Sequence, residues 1–97
     1  MKKNPCILIA DDDCAWAEGM ADLFVAYGYD VEIVANGRQA LERAGRIDFD
    51  IAFLDAGMSA DGFSEIRKQP QARIVMMAGA EARPSFERML EIVETAA

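Results

Sequence analysis

The residues Ile51-Ala52-Phe53-Leu54-Asp55 place four apolar side chains directly before one carboxylate. A short apolar run without alternation is typical of a strand buried on both faces, as in a parallel sheet. Asp55 then falls at the carboxyl end of that strand, where open α/β sheets bind their ligands. An acid in that place can be a nucleophile, a metal ligand or a helix cap.

The chain on either side of this stretch alternates apolar strands with helical segments. Four strands are predicted, at residues 6–10, 31–34, 51–54 and 73–77. Four helices are predicted, beginning after Asp12 or Asp13, after Asn36, after Asp61, and with Pro84 in the first turn. This alternation with short connections predicts one α/β domain over residues 1–97, with a parallel sheet covered on both faces.

Helical spacing identifies the residues expected to pack on the sheet. The first helix places five large side chains on one face, namely Trp16, Met20, Leu23, Phe24 and Tyr27. The last helix repeats apolar residues at the same period, namely Phe86, Met89, Leu90 and Val93. We interpret both sets as core.

Composition excludes several classes of function. The chain has 97 residues and a net charge of −7, with no extended basic cluster, so direct nucleic-acid binding is not expected. No apolar run reaches the length of a membrane span and no signal-like start is present, which favours a cytoplasmic protein. The absence of histidine excludes histidine-based catalysis and histidine-liganded zinc. Cys6 and Cys14 are expected to be reduced, buried thiols.

Acidic residues follow directly after two of the predicted strands. Asp11–Asp13 follow the first strand, and Asp55 follows the third. If these strands are neighbours, about 4.8 Å apart, the carboxylates converge on one pocket, where mutual repulsion favours a hard divalent cation such as Mg²⁺. An aspartate beside such an ion can attack a phosphoryl donor and form an aspartyl-phosphate. Helix capping is the alternative role for one acid of Asp11–Asp13 and for Asp61.

Three stretches are informative together: Ile7-Leu8-Ile9-Ala10-Asp11-Asp12-Asp13, Asn36-Gly37-Arg38-Gln39-Ala40-Leu41-Glu42 and Phe53-Leu54-Asp55-Ala56-Gly57-Met58-Ser59-Ala60-Asp61-Gly62. They resemble the receiver domain of two-component response regulators. The third resembles the phosphoacceptor loop of that family, with Ser59 where proline is usual. Arg83-Pro84-Ser85-Phe86 is similar to the family's lysine–proline junction before its last helix.

This resemblance implies a flavodoxin-like fold, with the parallel sheet shortened to four strands in the order 2-1-3-4 and helices on both faces. It implies that Asp55 is the phosphoacceptor and that Asp11 and Asp12 are the acidic pair, with Asp12 a direct Mg²⁺ ligand. The implied metal site consists of Asp11, Asp12, Asp55 and the backbone carbonyl of Gly57. The implied phosphoryl donor is a histidine kinase or a histidine phosphotransfer protein.

The chain also departs from the family pattern. Ala78 stands where the family has a serine or threonine that binds the phosphoryl group. Between Gly79 and Arg83 there is no room for the family's fourth helix and fifth strand, so its aromatic switch residue has no counterpart. Arg83 is the candidate replacement for the pocket lysine, although without the fifth strand the sequence does not place it at the pocket.

The missing fifth strand would leave the fourth strand as an open sheet edge. One face of the sheet would also lose its covering helix, and Met76 or Met77 would lie exposed on that face. A twofold pairing through Ile74, Met76 and Met77 would close the edge, and it predicts a homodimer. The alternative is a monomer in which the last helix and its loop shield the strand.

Three functions compete on the sequence alone. The first is a stand-alone, non-enzymatic receiver that accepts a phosphoryl group on Asp55 and acts through protein contacts. The second is a degenerate receiver that serves as an interaction or dimerisation module without phosphorylation, which the missing hydroxyl and strand favour. The third is a small aspartate-nucleophile phosphatase, but the chain lacks room for a substrate cap.

Overall fold

The structure is a computed structural model that describes residues 5–44, 46, 49–56, 73–77 and 83–96, and these residues form seven elements. In chain order they are β1 (Cys6–Ala10), α1 (Cys14–Ala26), β2 (Asp30–Val34), α2 (Gly37–Ala44), β3 (Ile51–Asp55), β4 (Arg73–Met77) and α3 (Phe86–Ala96).

The described strands form one parallel sheet in the order β2-β1-β3-β4. This confirms the α/β fold and the strand order 2-1-3-4. All five residues of β3 are buried, as its unbroken apolar sequence predicts for a central strand. Ala10 of β1 lies opposite Leu54 of β3, so the next residues on the two strands, Asp11 and Asp55, leave the sheet side by side.

Alternation along the strands divides the core into two layers. On one face, Ile7, Ile9 and Phe53 pack with residues of α1 and α3. On the other face, Leu8, Ala52 and Leu54 pack with Ala40 of α2 and with Phe49. Helices therefore cover both faces, as predicted, and α1 and α3 share the same side of the sheet.

Helix α1 begins after a polar residue that caps it and ends just before a glycine. The Oδ1 atom of Asp13 accepts a hydrogen bond from the backbone N–H of Trp16 over 3.1 Å, so Asp13 is the N-cap. Gly28 follows the helix with φ of 90°, a left-handed conformation that glycine adopts without strain.

The buried face of α1 differs from the predicted one. Its buried residues are Ala17, Ala21 and Phe24. Leu23 is 42% exposed and Tyr27 is 61% exposed, so the prediction that both belong to the core is wrong. Small alanines face the sheet because they allow the helix to approach it closely. The larger side chains beside them are left at the rim.

Helix α3 begins at Phe86, two residues after Pro84. The Ser85 side chain accepts a hydrogen bond from the backbone N–H of Arg88 over 3.2 Å, which makes Ser85 the N-cap. Pro84 therefore precedes the cap, and the prediction that it lies in the first turn is wrong. Met89 and Val93 of this helix are buried, as predicted.

Strand β4 presents its two methionines to different environments. Met76 is 42% exposed, whereas Met77 is 2% exposed and belongs to the layer under α1 and α3. Met77 is thus core, which corrects its predicted place on the open edge. Cys14 is exposed, which corrects its predicted burial, while Cys6 is half-buried.

Several predictions concern residues outside the described ranges. They are the helix through Phe63 and Ile66, the cap at Asp61, the carbonyl of Gly57 and the position of Ala78. Among the described helices, none has the length and apolar character needed to cross a membrane.

Candidate functional site

Two carboxylates lie where the central strands end. The backbone N–H of Asp11 donates a hydrogen bond to the carbonyl of Val34 over 3.1 Å, which extends the pairing of β1 with β2 past the last strand residue. The backbone N–H of Ala56 similarly donates to the carbonyl of Met77 over 2.8 Å. Asp11 is fully buried and Asp55 is 6% exposed. The sheet therefore fixes both acids in a sheltered position.

Asp12 completes a group of three acids. Carboxylate oxygens of Asp11, Asp12 and Asp55 lie within 4.8 Å of one another. Asp12 is exposed, while the other two are buried. The structure thus brings together the three acids that the sequence placed at one edge of the sheet, with an opening to solvent on the side of Asp12.

Arg83 reaches this group from the segment before α3. Its Nη2 atom donates to Oδ1 of Asp11 over 2.8 Å, and its Nε donates to Oδ2 of the same carboxylate over 3.1 Å. Its Nη1 atom donates to Oδ2 of Asp13 over 3.2 Å. This bidentate fork on Asp11 is a geometry that a lysine ammonium cannot reproduce. The sequence could not decide whether Arg83 lies at the pocket, and the structure places it there.

An aromatic ring supports the guanidinium. The Cζ atom of Arg83 lies 4.8 Å from the centre of the Trp16 ring, within the range of a cation–π interaction. The Arg83 side chain is only 15% exposed. Trp16 is therefore more than a core residue, because it forms one wall of the place that holds Arg83.

The ion pairs change the acidity of two groups. Partial burial lowers the pKa of Arg83, but the hydrogen bonds and attraction from Asp11, and then from Asp13, outweigh it and raise the pKa overall. The pKa of Asp13 is lowered, mainly by the hydrogen bond from the backbone N–H of Trp16, and further by Arg83. Both groups are charged at neutral pH.

Sequence reasoning missed the roles of Asp13 and Trp16 beside Arg83. The sequence predicts Asp13 as one of the converging acids or as a cap, and Trp16 as core, but it predicts no contact of either with Arg83. The sequence did indicate that Asp13 and Trp16 lie close together, because an N-cap residue and the residue three positions later lie at the same end of a helix. What was missing was the partner, because Arg83 is 70 residues away from Asp13 in the chain.

The donor set fits a hard divalent cation. It consists of carboxylate oxygens alone, which are the ligands that Mg²⁺ prefers. Two of the three acids are buried, so their mutual repulsion is little screened by water. Asp11, Asp12 and Asp55 would hold the ion, and its positive charge would offset theirs.

Comparison with protein families assigns residues 7–94 to the model described as "Response regulator receiver domain". Among curated proteins, the chain is 30% identical over 99 residues to the transcriptional regulatory protein ZraR of Escherichia coli K12. That match includes 97% of this chain but only 22% of the length of ZraR.

Solved structures have the same fold. The response regulator TrrA of Thermotoga maritima, in complex with Mg²⁺-BeF, superimposes with a TM-score of 0.78 at 24% identity, over 96% of this chain and 99% of TrrA. A response regulator of Burkholderia pseudomallei with a phosphorylated aspartic acid, a calcium ion and citrate has a TM-score of 0.69 at 27% identity. That match covers 97% of this chain and 56% of the other.

Proposed function

Because this chain belongs to the response regulator receiver domain family, whose members are modules of two-component signalling, we propose that Asp55 accepts a phosphoryl group in a Mg²⁺-dependent phosphorelay. One observation carries the proposal. Asp55 ends the central strand β3, is 6% exposed, and has a carboxylate oxygen within 4.8 Å of those of Asp11 and Asp12.

The transfer is a displacement at phosphorus. A carboxylate oxygen of Asp55 attacks the phosphorus of a phosphohistidine on the donor protein, and an O–P bond forms as the P–N bond breaks. The electron pair of the broken bond stays on the imidazole nitrogen of the donor. The product on this chain is an acyl phosphate, and the chain acts as a signalling acceptor rather than as an enzyme.

The acids prepare the site for this reaction. Asp12, which is exposed, would coordinate a hydrated cation from the solvent side, and the buried acids Asp11 and Asp55 would complete the site. The resemblance adds the backbone carbonyl of Gly57 to this set. When bound, Mg²⁺ supplies positive charge that offsets the charge on the phosphoryl oxygens.

Arg83 supplies the second positive charge at the pocket. It holds Asp11 through two hydrogen bonds and replaces the lysine that the family resemblance leads one to expect. A guanidinium remains charged at any physiological pH and matches phosphate oxygens as well as carboxylate oxygens. We assign Arg83 the role of neutralising the acids before transfer.

The partners follow from this assignment. The phosphoryl donor is a histidine kinase or a histidine phosphotransfer protein, and the output is a change in protein–protein contacts. The relay draws phosphoryl groups from ATP, so the proposal also places the chain in the cytoplasm. A homodimer through the edge of β4 is part of the same proposal, now restricted to Ile74 and Met76 because Met77 is buried.

Phosphorylation by a small donor tests the assignment of Asp55. The protein is incubated with acetyl phosphate and Mg²⁺, and its intact mass is measured, with beryllofluoride as a second probe of the same site. We expect one phosphoryl group per chain, none in Asp55→Asn, and none when Mg²⁺ is removed by chelation.

Asp50→Asn is the matched control. Asp50 precedes the same strand at its opposite end, and its Oδ2 accepts a hydrogen bond from the backbone N–H of Cys6 over 2.8 Å, a bond that asparagine can also accept. This variant should incorporate as much phosphate as the wild type. No adduct in the wild type, with no Mg²⁺-dependent change in Trp16 fluorescence, would contradict the proposal and favour the phosphorylation-independent interaction module.

A further inference from the structure

We infer that Arg83 competes with a divalent cation for Asp11, and that Asp13 and Trp16 hold Arg83 in place, so that these residues set the cation affinity of the site. The inference deepens the proposed function, because it concerns regulation of the same site. It adds roles for Asp13 and Trp16, neither of which belongs to the group of three acids.

The first step concerns the oxygens of Asp11. Its Oδ1 accepts two hydrogen bonds of 2.8 Å, one from the backbone N–H of Asp13 and one from Nη2 of Arg83. Its Oδ2 accepts a bond of 3.1 Å from Nε of Arg83. A carboxylate has about four acceptor positions, so Arg83 and Asp13 occupy most of those on Asp11. A cation can be coordinated by both oxygens of Asp11 only when the hydrogen bonds from Arg83 break.

The second step concerns how firmly Arg83 is held. The Nη1 atom of Arg83 donates a hydrogen bond of 3.2 Å to Asp13, and the Cζ atom of Arg83 lies 4.8 Å from the centre of the Trp16 ring. Asp13 is itself fixed by its capping bond to the backbone N–H of Trp16. The guanidinium therefore has contacts on its edge and on its face. Loss of any one contact should free Arg83 for part of the time and favour the cation.

The third step concerns charge. Arg83 places a single positive charge on Asp11, one of the three acids that would bind the ion. Two positive charges in one small pocket repel each other, and low exposure reduces the screening of that repulsion. The arginine thus neutralises the acids in the absence of metal and weakens metal binding by the same interaction.

Isothermal calorimetry of Mg²⁺ binding tests the inference on the intact chain. Arg83→Met removes the competing charge and should bind Mg²⁺ about tenfold more tightly or better, as loss of a nearby positive charge requires. Arg83→Lys keeps the charge but cannot form the fork, and it should bind about threefold more tightly, since bidentate charged hydrogen bonds are the strong ones. Circular dichroism confirms that each variant is folded.

Arg88→Met is the matched control. Arg88 lies on α3, is exposed, and pairs with Glu91 over 3.0 Å, so the variant changes the net charge equally without touching the pocket. Its affinity for Mg²⁺ should equal that of the wild type. Trp16→Leu leaves all charges in place but removes the support for the guanidinium, and it should bind Mg²⁺ more tightly than the wild type.

Trp16 fluorescence provides the second measurement. Mg²⁺ should change the emission of the wild type, because the guanidinium leaves the ring, and should leave the emission of Arg83→Met nearly constant. Equal or weaker Mg²⁺ binding by Arg83→Met and Arg83→Lys would overturn the inference. So would an absence of measurable binding in all variants.

The two proposals fail separately. If Asp55 accepts no phosphoryl group but the Arg83 variants bind Mg²⁺ more tightly, the assignment of the phosphoacceptor is wrong and the competition stands. If Asp55 is phosphorylated but the Arg83 variants bind Mg²⁺ no more tightly, the phosphorelay stands and the competition is wrong.

Discussion

The Nη2 atom of Arg83 lies 2.8 Å from Oδ1 of Asp11, although the two residues are 72 positions apart in the chain. This ion pair joins the end of β1 to the segment that leads into α3. It satisfies a fully buried carboxylate with a charge that comes from the other end of the sequence. The pair therefore has consequences both for stability and for the chemistry of the pocket.

The first prediction concerns the stability that Arg83 provides. Arg83→Met should lower the free energy of unfolding by about 3 kcal/mol, because it leaves the buried Asp11 without its cation. Urea denaturation without divalent cations measures this. Arg88→Met, which breaks an exposed pair, should change stability by about 0.5 kcal/mol or less. Equal losses of stability in the two variants would show that the buried ion pair stabilises the fold no more than the exposed pair does.

The second prediction concerns pH. Asp13→Asn should keep the cap, since asparagine caps helices as well as aspartate does, but lose the ion pair with Arg83. Because folding lowers the pKa of Asp13, its charge stabilises the fold above the unfolded value of about 3.9. This contribution disappears as the pH falls through the folded pKa.

The stability difference between wild type and Asp13→Asn should thus be constant from neutrality to about pH 4 and shrink below it. Chemical unfolding at several pH values measures the difference. Asp22→Asn, which removes one exposed negative charge from the same helix, is the matched control. A difference that grows as the pH falls would contradict the ion pair.

The third prediction separates core from rim on α1. The Phe24 ring is buried, with centroid distances of 4.9 Å to Phe86, 6.0 Å to Tyr29 and 6.4 Å to Phe53. Phe24→Ala should cost about 3–5 kcal/mol. Tyr27, whose centroid lies 5.4 Å from that of Phe86, is largely exposed, and Tyr27→Ala should cost about 1 kcal/mol or less. Denaturant midpoints of the two variants decide whether only Phe24 is core.

The fourth prediction concerns self-association. Met76→Lys should shift the proposed dimer to monomer, because a charge on the edge strand opposes strand pairing. Light scattering after gel filtration at micromolar concentration measures the mass. Leu23→Lys is matched in exposure, since Leu23 and Met76 are each 42% exposed, and it should leave the dimer intact. A monomeric wild type would rule out this interface.

The sequence alone was sufficient to predict the features that depend on residues close together in the chain. The unbroken apolar run of β3 predicted a central buried strand, and acids after β1 and β3 predicted carboxylates at one edge of the sheet. The resemblance of the motifs supplied the strand order. These features could be predicted because strand ends, helix caps and apolar periods depend on residues close together in the chain.

Tertiary structure decided which side chains meet. The helical period of α1 allowed Leu23 and Tyr27 to be core, but the approach of the helix to the sheet selected Ala17, Ala21 and Phe24. The register of β1 with β3 placed Asp11 beside Asp55. The packing of α3 next to α1 brought Arg83 onto Asp11, Asp13 and Trp16. No local pattern encodes such contacts, because they depend on how elements distant in sequence pack against a shared sheet.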